Sequence, residues 1–268
     1  MLGSDLVNLA PKETRILSHD LETNITNLNT VEGALKADRP DGVINAVAFT
    51  NVDGAEKEPG EAFLVNGKGP EHLAVVCAEL DIPLIQISTD FVFDGNRESL
   101  YTEEDRPTPL SKYGESKLAG ETSARRWVKH YILRTSSLYG TGRDNHAARV
   151  LKAIKNKEKI NVATDLFCSP TFTGDLARWI YQLIEKKPPY GTYHVCHTGF
   201  CSRYDFAARI CELKNVDPST ILNPITMESL HLPARRPLHA CLSMNKWEKQ
   251  VGALLSWQDG LENYLSAL

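Results

Sequence analysis

The chain has 268 residues, of which 42% are hydrophobic and 24% are charged, and its formal net charge is -4. These proportions are typical of a soluble globular protein and suit one large α/β unit, or a sheet domain with a smaller appendage. The sequence contains no basic tract and no apolar run near the ~18 residues of a membrane helix, which argues against nucleic acid or a membrane as a partner. No signal peptide is visible, so we expect a cytoplasmic protein.

Strand and helix patterns alternate along the chain. Continuous apolar runs predict strands buried on both faces, and apolar residues at helical spacing predict the helices between them. This alternation indicates an α/β protein with a parallel, doubly wound sheet. In chain order, the predicted elements are a strand at 15–18, a helix at 30–37, a strand at 43–48, a helix at 59–80, a strand at 84–87, a helix at 112–127, a strand at 131–134, a helix at 145–155, a strand at 160–162, a helix at 175–185, a strand at 192–195, a helix at 203–213 and a last helix after Trp257.

Small and hydroxyl-bearing residues follow three of the predicted strands, at 48–50, 88–90 and 135–137. In a doubly wound sheet, ligands bind beyond the carboxyl ends of the strands. We therefore interpret the three segments as one shared crevice. The alternative is that these residues only cap strands and form turns.

Tyr113 is the only tyrosine with a lysine, Lys117, four residues further on. At helical pitch this spacing places both side chains on one face. A phenol has an ordinary pKa of about 10, and a nearby ammonium favours the phenolate and assists proton transfer to a carbonyl oxygen. The pair alone is weak evidence, because such a spacing also arises by chance on a solvated helix. It gains weight from the polar end of the strand at 84–87.

The six cysteines are scattered and form no CxxC motif, and we interpret them as reduced. A cluster of possible metal ligands, His194, Cys196, His197 and Cys201, straddles a strand and a loop. It lacks a second ligand pair at a spacing typical of zinc sites. The sequence therefore predicts no metal site.

Three stretches carry a family resemblance: Ile-Asn-Ala-Val-Ala-Phe-Thr-Asn-Val-Asp at 44–53, Ser-Thr-Asp-Phe-Val-Phe-Asp-Gly at 88–95, and Tyr-Gly-Glu-Ser-Lys-Leu-Ala-Gly-Glu at 113–121. Together they resemble the dTDP-4-dehydrorhamnose reductase family of the extended short-chain dehydrogenases/reductases. The resemblance implies a Rossmann-like doubly wound parallel sheet with a smaller C-terminal substrate-binding region. We expect residues 1–140 to form the dinucleotide-binding domain, with later strands from 156–195 returning to it. Residues 141–155 and 196–268 would form the smaller region.

The resemblance implies a reductase that passes a hydride from NADPH or NADH to the C4 ketone of dTDP-4-dehydrorhamnose. Tyr113 would be the acid that protonates the C4 oxygen. Lys117 would bind the nicotinamide ribose and depress the pKa of the tyrosine. Thr89 would hydrogen-bond the same oxygen, and Asp90 would contact the sugar nucleotide. Negative charge develops on the ketone oxygen as the hydride arrives, and two hydrogen-bond donors and a nearby cation would stabilise it.

The remaining site residues also come from the resemblance. Asn24 and Ile25 would meet the adenine, and Asn66 would hold a helix in place or position a proton-relay water, with the first role favoured. Ala48, Phe49 and Thr50, together with Tyr113 and Lys117, would line the dinucleotide. Ser137, Arg235 and Arg236 would contact the substrate; guanidinium groups suit a diphosphate, although the two arginines could instead be a surface pair against acidic neighbours.

Two departures from the family pattern bear on function. The family opens with a strand and a Gly-x-x-Gly-x-x-Gly loop that holds the cofactor pyrophosphate, and here only Gly3 matches the end of that motif. We therefore expect an N-terminally incomplete chain that lacks the first strand and binds dinucleotide poorly, because its neighbouring strands must close up or leave backbone donors unpaired. The second departure is Ser137, which stands where the family usually has a tryptophan that packs on the sugar.

These departures leave other functions open. One alternative is a non-catalytic regulatory subunit on the same fold, similar to the beta subunit of methionine adenosyltransferase. Another is a reductase or epimerase of a different nucleotide sugar. The expected partners are a dTDP-sugar or another nucleotide sugar, with a homodimer or a regulatory protein partner as further options.

Overall fold

A parallel four-stranded sheet forms the centre of the protein. The computed structural model describes residues 1–19 and 23–268. The strand order of the main sheet is β1-β2-β3-β8, and three two-stranded sheets surround it, formed by β5 with β10, β4 with β7 and β6 with β9. The strands are β1 (Val43–Asn45), β2 (Leu84–Thr89), β3 (His130–Thr135), β4 (Leu138–Tyr139), β5 (Ile160–Ala163), β6 (Phe167–Cys168), β7 (Thr171–Phe172), β8 (Gly191–His194), β9 (Cys201–Ser202) and β10 (Leu222–Ile225).

Helices cover both faces of the main sheet. No helix in residues 1–19 and 23–268 is long and apolar enough to cross a lipid bilayer. A π-helical turn, Leu64–Lys68, joins the fourth and fifth helices, and two 3-10 turns lie at Asp90–Val92 and Glu228–Leu230. The α-helices are α1 (Leu2–Asn8), α2 (Leu28–Asp38), α3 (Val52–Lys57), α4 (Pro59–Phe63), α5 (Gly69–Glu79), α6 (Lys112–Ala124), α7 (His146–Asn156), α8 (Thr173–Lys186), α9 (Arg203–Leu213), α10 (Pro218–Ile221), α11 (Asn245–Gln250) and α12 (Trp257–Ser266).

The two faces of the sheet bury alternate residues of its strands. Leu84 and Ile132 pack with apolar residues of α2 and α5 on one face. Ile85, Ile87 and Leu133 pack with α1 and α8 on the other. All six residues of β2 are buried as a result. The pattern explains why the central strands are mostly apolar, with Gln86 as a buried polar exception in β2, and why most of their polar residues lie near their carboxyl ends.

A second core lies beside the sheet and is built largely from the C-terminal half. It joins α7, α9 and α12 to β5 and β10. Val162 and Phe172, which belong to the segment between residues 156 and 195, also lie in this core. The prediction that later strands return to the main sheet is correct for β8 and wrong for β5, which pairs in parallel with β10. The division into a dinucleotide-binding and a substrate-binding domain stays a prediction.

Three predicted elements differ from the structure. Residues 15–18 form no strand. The strand predicted at 43–48 ends at Asn45, whose side chain accepts a hydrogen bond from the Val47 backbone at 3.1 Å and so turns the chain. The helix predicted at 59–80 is interrupted by the π turn Leu64–Lys68, whose backbone lies against α6.

β1 is an edge strand of the main sheet within the described residues. It pairs with β2 through Val43, Ile44 and Asn45. A groove of about 150 Å³ lies between β1 and the segment around Leu17, with Ile25 in its lining. The neighbouring segment has therefore not closed onto the outer edge of β1.

Candidate active site

A crevice of about 840 Å³ opens at the carboxyl ends of β1, β2 and β3. Parallel strands bring these ends to one edge of the sheet, which is where ligands bind in this class of fold. Its lining includes residues 46–48 and Thr50 from the segment after β1, and residues from β6 and from the starts of α7 and α9. Of the site residues predicted from the sequence, the crevice is lined by Ala48, Thr50, Thr89, Asp90, Tyr113, Lys117 and Ser137.

Thr89 and Asp90 form a small hydrogen-bonded unit at the end of β2. The Thr89 hydroxyl donates to Oδ1 of Asp90 at 2.9 Å, and the Ser136 hydroxyl donates to Oδ2 at 2.5 Å. Asp90 is buried, and this burial raises the pKa of its carboxyl, although the two hydroxyls and the positive charge of Arg203 oppose the rise. The Thr89 oxygen also accepts a hydrogen bond from the Phe91 backbone N–H at 3.2 Å, which fixes the side chain at the start of the 3-10 turn.

Tyr113 lies in the first turn of α6, which Ser111 caps by accepting a hydrogen bond from the Gly114 backbone at 3.2 Å. Its ring packs edge-on against Phe91, with the ring centroids 5.6 Å apart. Burial and the charge of Asp90 raise the pKa of Tyr113 to about 12, while a hydrogen bond with Thr89 acts in the opposite direction. The expectation that Lys117 depresses this pKa stays a prediction.

Lys117 lies one turn further along α6 and is 4% exposed. Its Nζ donates a hydrogen bond to the carbonyl oxygen of Ile87 at 2.7 Å. Burial lowers the pKa of Lys117 to about 8, and the charge of Glu121 partly offsets the effect. The ammonium thus lines the crevice while it is hydrogen-bonded to the sheet.

A buried ion pair, which the sequence did not reveal, holds α6 against the sheet. The Arg134 guanidinium on β3 contacts both carboxylate oxygens of Glu121 on α6, through Nε at 2.9 Å and Nη2 at 2.8 Å. The hydroxyl of Ser88 on β2 also donates to Glu121, at 2.6 Å. Glu121 and Arg134 are 0% and 1% exposed, so their geometry is fixed by packing as well as by charge.

Asn66, in the π turn, links the loop after β1 to α6. Its Oδ1 accepts from the Phe49 backbone N–H at 2.9 Å, and its Nδ2 donates to the Phe49 carbonyl at 3.0 Å and to the Ser116 hydroxyl at 2.9 Å. Both donors of the amide, and one acceptor site of its oxygen, are directed at neighbouring chain segments. These contacts agree with the positioning role that we favoured for Asn66.

Five of the predicted site residues lie outside the crevice. The Asn24 side chain accepts from the backbone of Thr26 at 3.0 Å and forms a local turn. Ile25 packs in the core with α2 and α5 and lines the groove beside β1. The crevice lining excludes Phe49, Arg235 and Arg236.

Arg236 is tied to an acidic neighbour. Its Nη1 and Nη2 contact Oδ1 and Oδ2 of Asp53 at 2.6 and 2.7 Å, and these contacts lower the pKa of Asp53. Arg235 is exposed. The assignment of both arginines to a diphosphate is not supported by this arrangement, and the alternative of pairing with acidic residues describes Arg236.

The crevice contains three arginines that the sequence did not single out. Arg143 and Arg149 line it from the region of α7, and Arg203 lines it from the first position of α9. Their approach to the sheet depends on how the C-terminal half packs, and no local pattern encodes that packing.

The four possible metal ligands that we considered in the sequence are all buried. His197 lies 3.1 Å from the carboxylate of Asp175 through Nε2, and His194 contacts the carbonyl of Tyr101 through Nδ1 at 3.1 Å. Within residues 1–19 and 23–268, no group of three or more His, Cys, Asp and Glu side chains could hold a metal ion. The six cysteines are buried thiols.

The doubly wound parallel sheet, with a threonine, a tyrosine and a lysine at the carboxyl ends of its strands, defines an extended short-chain dehydrogenase/reductase fold. Comparison with known proteins narrows this class. The family model described as the RmlD substrate binding domain matches residues 1–268. The chain therefore belongs to this family, that of the dTDP-4-dehydrorhamnose reductases, which confirms the resemblance and the fold class expected from the sequence.

Individual relatives agree with this assignment. The chain is 34% identical over 276 residues to a dTDP-4-dehydrorhamnose reductase of Aggregatibacter actinomycetemcomitans, covering 98% of this chain and 94% of that protein. It is 35% identical over 243 residues to the spore coat polysaccharide biosynthesis protein SpsK of Bacillus subtilis, covering 90% and 84%. The crystal structure of dTDP-4-dehydrorhamnose reductase from Bacillus anthracis in complex with NADP superposes with a TM-score of 0.95 at 35% identity, covering 100% of this chain and 95% of that chain.

Proposed function

We propose that the protein catalyses the NADPH-dependent reduction of the C4 ketone of dTDP-4-dehydrorhamnose, giving dTDP-L-rhamnose. The observation that carries the proposal is the presence of Thr89, Tyr113 and Lys117 in one crevice at the carboxyl ends of the strands. Family membership supports the same reaction, and NADP is the ligand of the similar Bacillus anthracis structure.

The crevice fits the two ligands that this reaction requires. Its volume of about 840 Å³ lies within the range of pockets that hold cofactors and substrates. Ala48 and Thr50 on one wall, with Tyr113 and Lys117 at the floor, would hold the dinucleotide. Asp90 and Ser137 face the other part of the crevice, where the nucleotide sugar would lie. The bound nicotinamide supplies the hydride.

The protein residues supply the proton and the placement. Tyr113 donates its phenolic proton to the ketone oxygen as negative charge develops there. Thr89, which Asp90 holds through a hydrogen bond at 2.9 Å, interacts with the Tyr113 phenol and acts to lower its pKa, so it would position the phenol for proton transfer. At neutral pH Lys117, with a pKa of about 8, is largely protonated. Its ammonium stabilises the phenolate that remains after proton transfer.

A turnover assay tests the proposal. The protein is mixed with NADPH and dTDP-4-dehydrorhamnose, and the loss of NADPH absorbance is followed. Tyr113→Phe should lower kcat by about 100-fold or more, as expected for loss of a general acid, while leaving NADPH binding intact. Tyr190→Phe, which changes a tyrosine that is 45% exposed, is the matched control and should keep full turnover. Unchanged turnover in Tyr113→Phe would refute the assigned role.

The same assay addresses the alternative functions. Ser137 lines the crevice at the position where the family usually has a tryptophan that packs on the sugar. Other dTDP-4-keto sugars are therefore included as substrates in the assay. Faster turnover of one of them would favour a sister reductase. No turnover with any substrate, together with stable binding to another protein, would favour the regulatory subunit. A cytoplasmic location and a homodimeric or regulatory partner also stay proposals, and size-exclusion chromatography tests the homodimer.

A further inference from the structure

Three arginines line the crevice from the region of α7 and α9. Arg203 occupies the first position of α9, Arg149 lies in α7, and Arg143 lies in the loop before α7. Two carboxylates line the same crevice, those of Asp90 and Asp144. The arginines therefore exceed the carboxylates, and this part of the crevice attracts anions.

Arg203 has no partner for its charge. It is half-buried, and among the residues that the structure describes no carboxylate lies within 4.0 Å of its guanidinium. Arg209, on the same helix, contacts Glu212 at 3.2 Å and Glu262 at 3.3 Å. Arg149 makes one long contact, from Nη2 to the carbonyl of Asn161 at 3.4 Å. Arg149 is exposed, whereas Arg203 is half-buried. A partly desolvated guanidinium group without a carboxylate partner, such as that of Arg203, is suited to an anionic ligand.

The backbone fixes Arg203 beside the segment around β6. Its N–H donates a hydrogen bond to the carbonyl oxygen of Leu166 at 2.9 Å, and Leu166 and Cys168 line the same crevice as Arg203. The charge of Arg203 also opposes the rise in the pKa of Asp90 that burial causes. His146, also near Arg203, adds no positive charge, because burial lowers its pKa to about 3.

The other cations near the crevice are already engaged. Arg236 is held by Asp53 through two contacts, at 2.6 and 2.7 Å, and Lys117 is bonded to the carbonyl of Ile87. Arg235 lies outside the crevice lining. The remaining arginines that line the crevice are Arg143, Arg149 and Arg203. Arg203 is half-buried, and Arg143 and Arg149 are exposed, the first in a loop and the second on α7.

We propose that the guanidinium groups of Arg203 and Arg149 bind the diphosphate of the nucleotide sugar. This assignment rests on the proposed function for the class of substrate, and it replaces Arg235 and Arg236 as the diphosphate ligands. A guanidinium group presents paired N–H donors that match two phosphate oxygens. Bound in this way, the diphosphate fixes the sugar at its anomeric end and leaves the ketone facing Tyr113.

Calorimetric titration with dTDP and with thymidine tests the assignment. Arg203→Met should weaken dTDP binding by about 10- to 100-fold, the effect of losing charge-assisted hydrogen bonds, and leave thymidine binding unchanged. Arg149→Met should weaken dTDP binding less, and Arg203→Lys should restore part of the loss. Arg209→Met is the matched control, because it removes an arginine from the same helix that already has partners; its affinity for dTDP should equal that of the wild type.

NADPH titration of the same variants separates the sugar diphosphate from the pyrophosphate of the cofactor. Arg203→Met should bind NADPH as the wild type does, which also shows that the variant is folded. Wild-type affinity for dTDP in Arg203→Met, or a loss confined to NADPH, would overturn the assignment. If the wild type binds dTDP and Arg203→Met does not, the subsite stands even if no ketone is reduced. If ketone reduction proceeds with an unchanged KM in Arg203→Met, the proposed function stands and the subsite fails.

Discussion

Lys117 donates a hydrogen bond from Nζ to the carbonyl oxygen of Ile87, 2.7 Å away, and is otherwise enclosed by the fold. Burial lowers the pKa of Lys117 from 10.5 to about 8. Between these two values the unfolded chain binds more protons than the folded protein, so this residue makes the free energy of unfolding rise with pH. Below a pH of about 8 its burial destabilises the fold, and near pH 10.5 that cost disappears.

Replacing Lys117 should therefore stabilise the protein while removing its activity. At pH 7 the lowering of the Lys117 pKa from 10.5 to about 8 corresponds to about 3 kcal/mol, from which the loss of the hydrogen bond to Ile87 subtracts about 1 kcal/mol. Lys117→Met should then raise the free energy of unfolding by about 2 kcal/mol at pH 7 and lower it by about 1 kcal/mol above pH 10.5, where only the loss of the hydrogen bond remains. Urea unfolding of both proteins at the two pH values measures the difference. A variant that is no more stable than the wild type at pH 7 would contradict the account.

The same residue should set the alkaline limit of turnover. The charged ammonium is the form that stabilises the phenolate of Tyr113, so kcat/KM should fall as pH rises through about 8. Tyr113, whose pKa is raised to about 12, should add no second limb in the working range. A pH profile of kcat/KM checks both statements. A profile that stays flat up to pH 10 would show that the Lys117 charge is not needed.

Glu121 should contribute more to stability than any exposed acidic residue of α6. Glu121→Gln leaves Arg134 buried without its counter-charge, which should lower the free energy of unfolding by about 3–5 kcal/mol. Glu115→Gln removes the exposed pair with Lys112 and should cost less than about 1 kcal/mol. Urea denaturation of the two variants gives the comparison. Equal losses would mean that the buried pair adds nothing beyond an exposed one.

Gly114 should be irreplaceable for the placement of Tyr113. A Cβ at this position would lie 2.3 Å from the backbone oxygen of Phe91, so Gly114→Ala must push the start of α6 away from the end of β2. Because displacement of a catalytic group by about 1 Å can cost 100-fold, kcat/KM should fall at least tenfold. Gly60→Ala, where a Cβ would meet nothing within 4 Å, should keep wild-type kinetics. Wild-type kinetics in both variants would show that α6 can shift without consequence.

Local pattern predicted the main sheet well because its strands are buried on both faces. β2 and β3 are mostly apolar and are followed by polar residues, and their carboxyl ends contribute residues to the lining of the crevice. The segment at 15–18 carries a similar short run and forms no strand. A strand needs a neighbouring strand for its backbone hydrogen bonds, and the hydropathy pattern of a segment does not indicate which strand that will be. The pairing of β5 with β10 was missed for the same reason.

The sequence predicted the positions of Tyr113 and Lys117 better than those of the arginines. Tyr113 and Lys117 are separated by one helical turn, so the spacing alone brings them to one face. Arg236 meets Asp53 across a separation of 183 residues, which no local pattern reveals. Arg203 was passed over because its neighbours in sequence gave no sign that α9 begins at the crevice.

The Asn66 amide has a consequence for how the crevice admits a ligand. It forms hydrogen bonds with both polar groups of the Phe49 backbone and with the hydroxyl of Ser116, and so ties the loop after β1 to the helix that carries Tyr113. If a ligand requires the crevice to widen, we therefore expect α7 and α9, with their arginines, to move and the tied segments to stay in place.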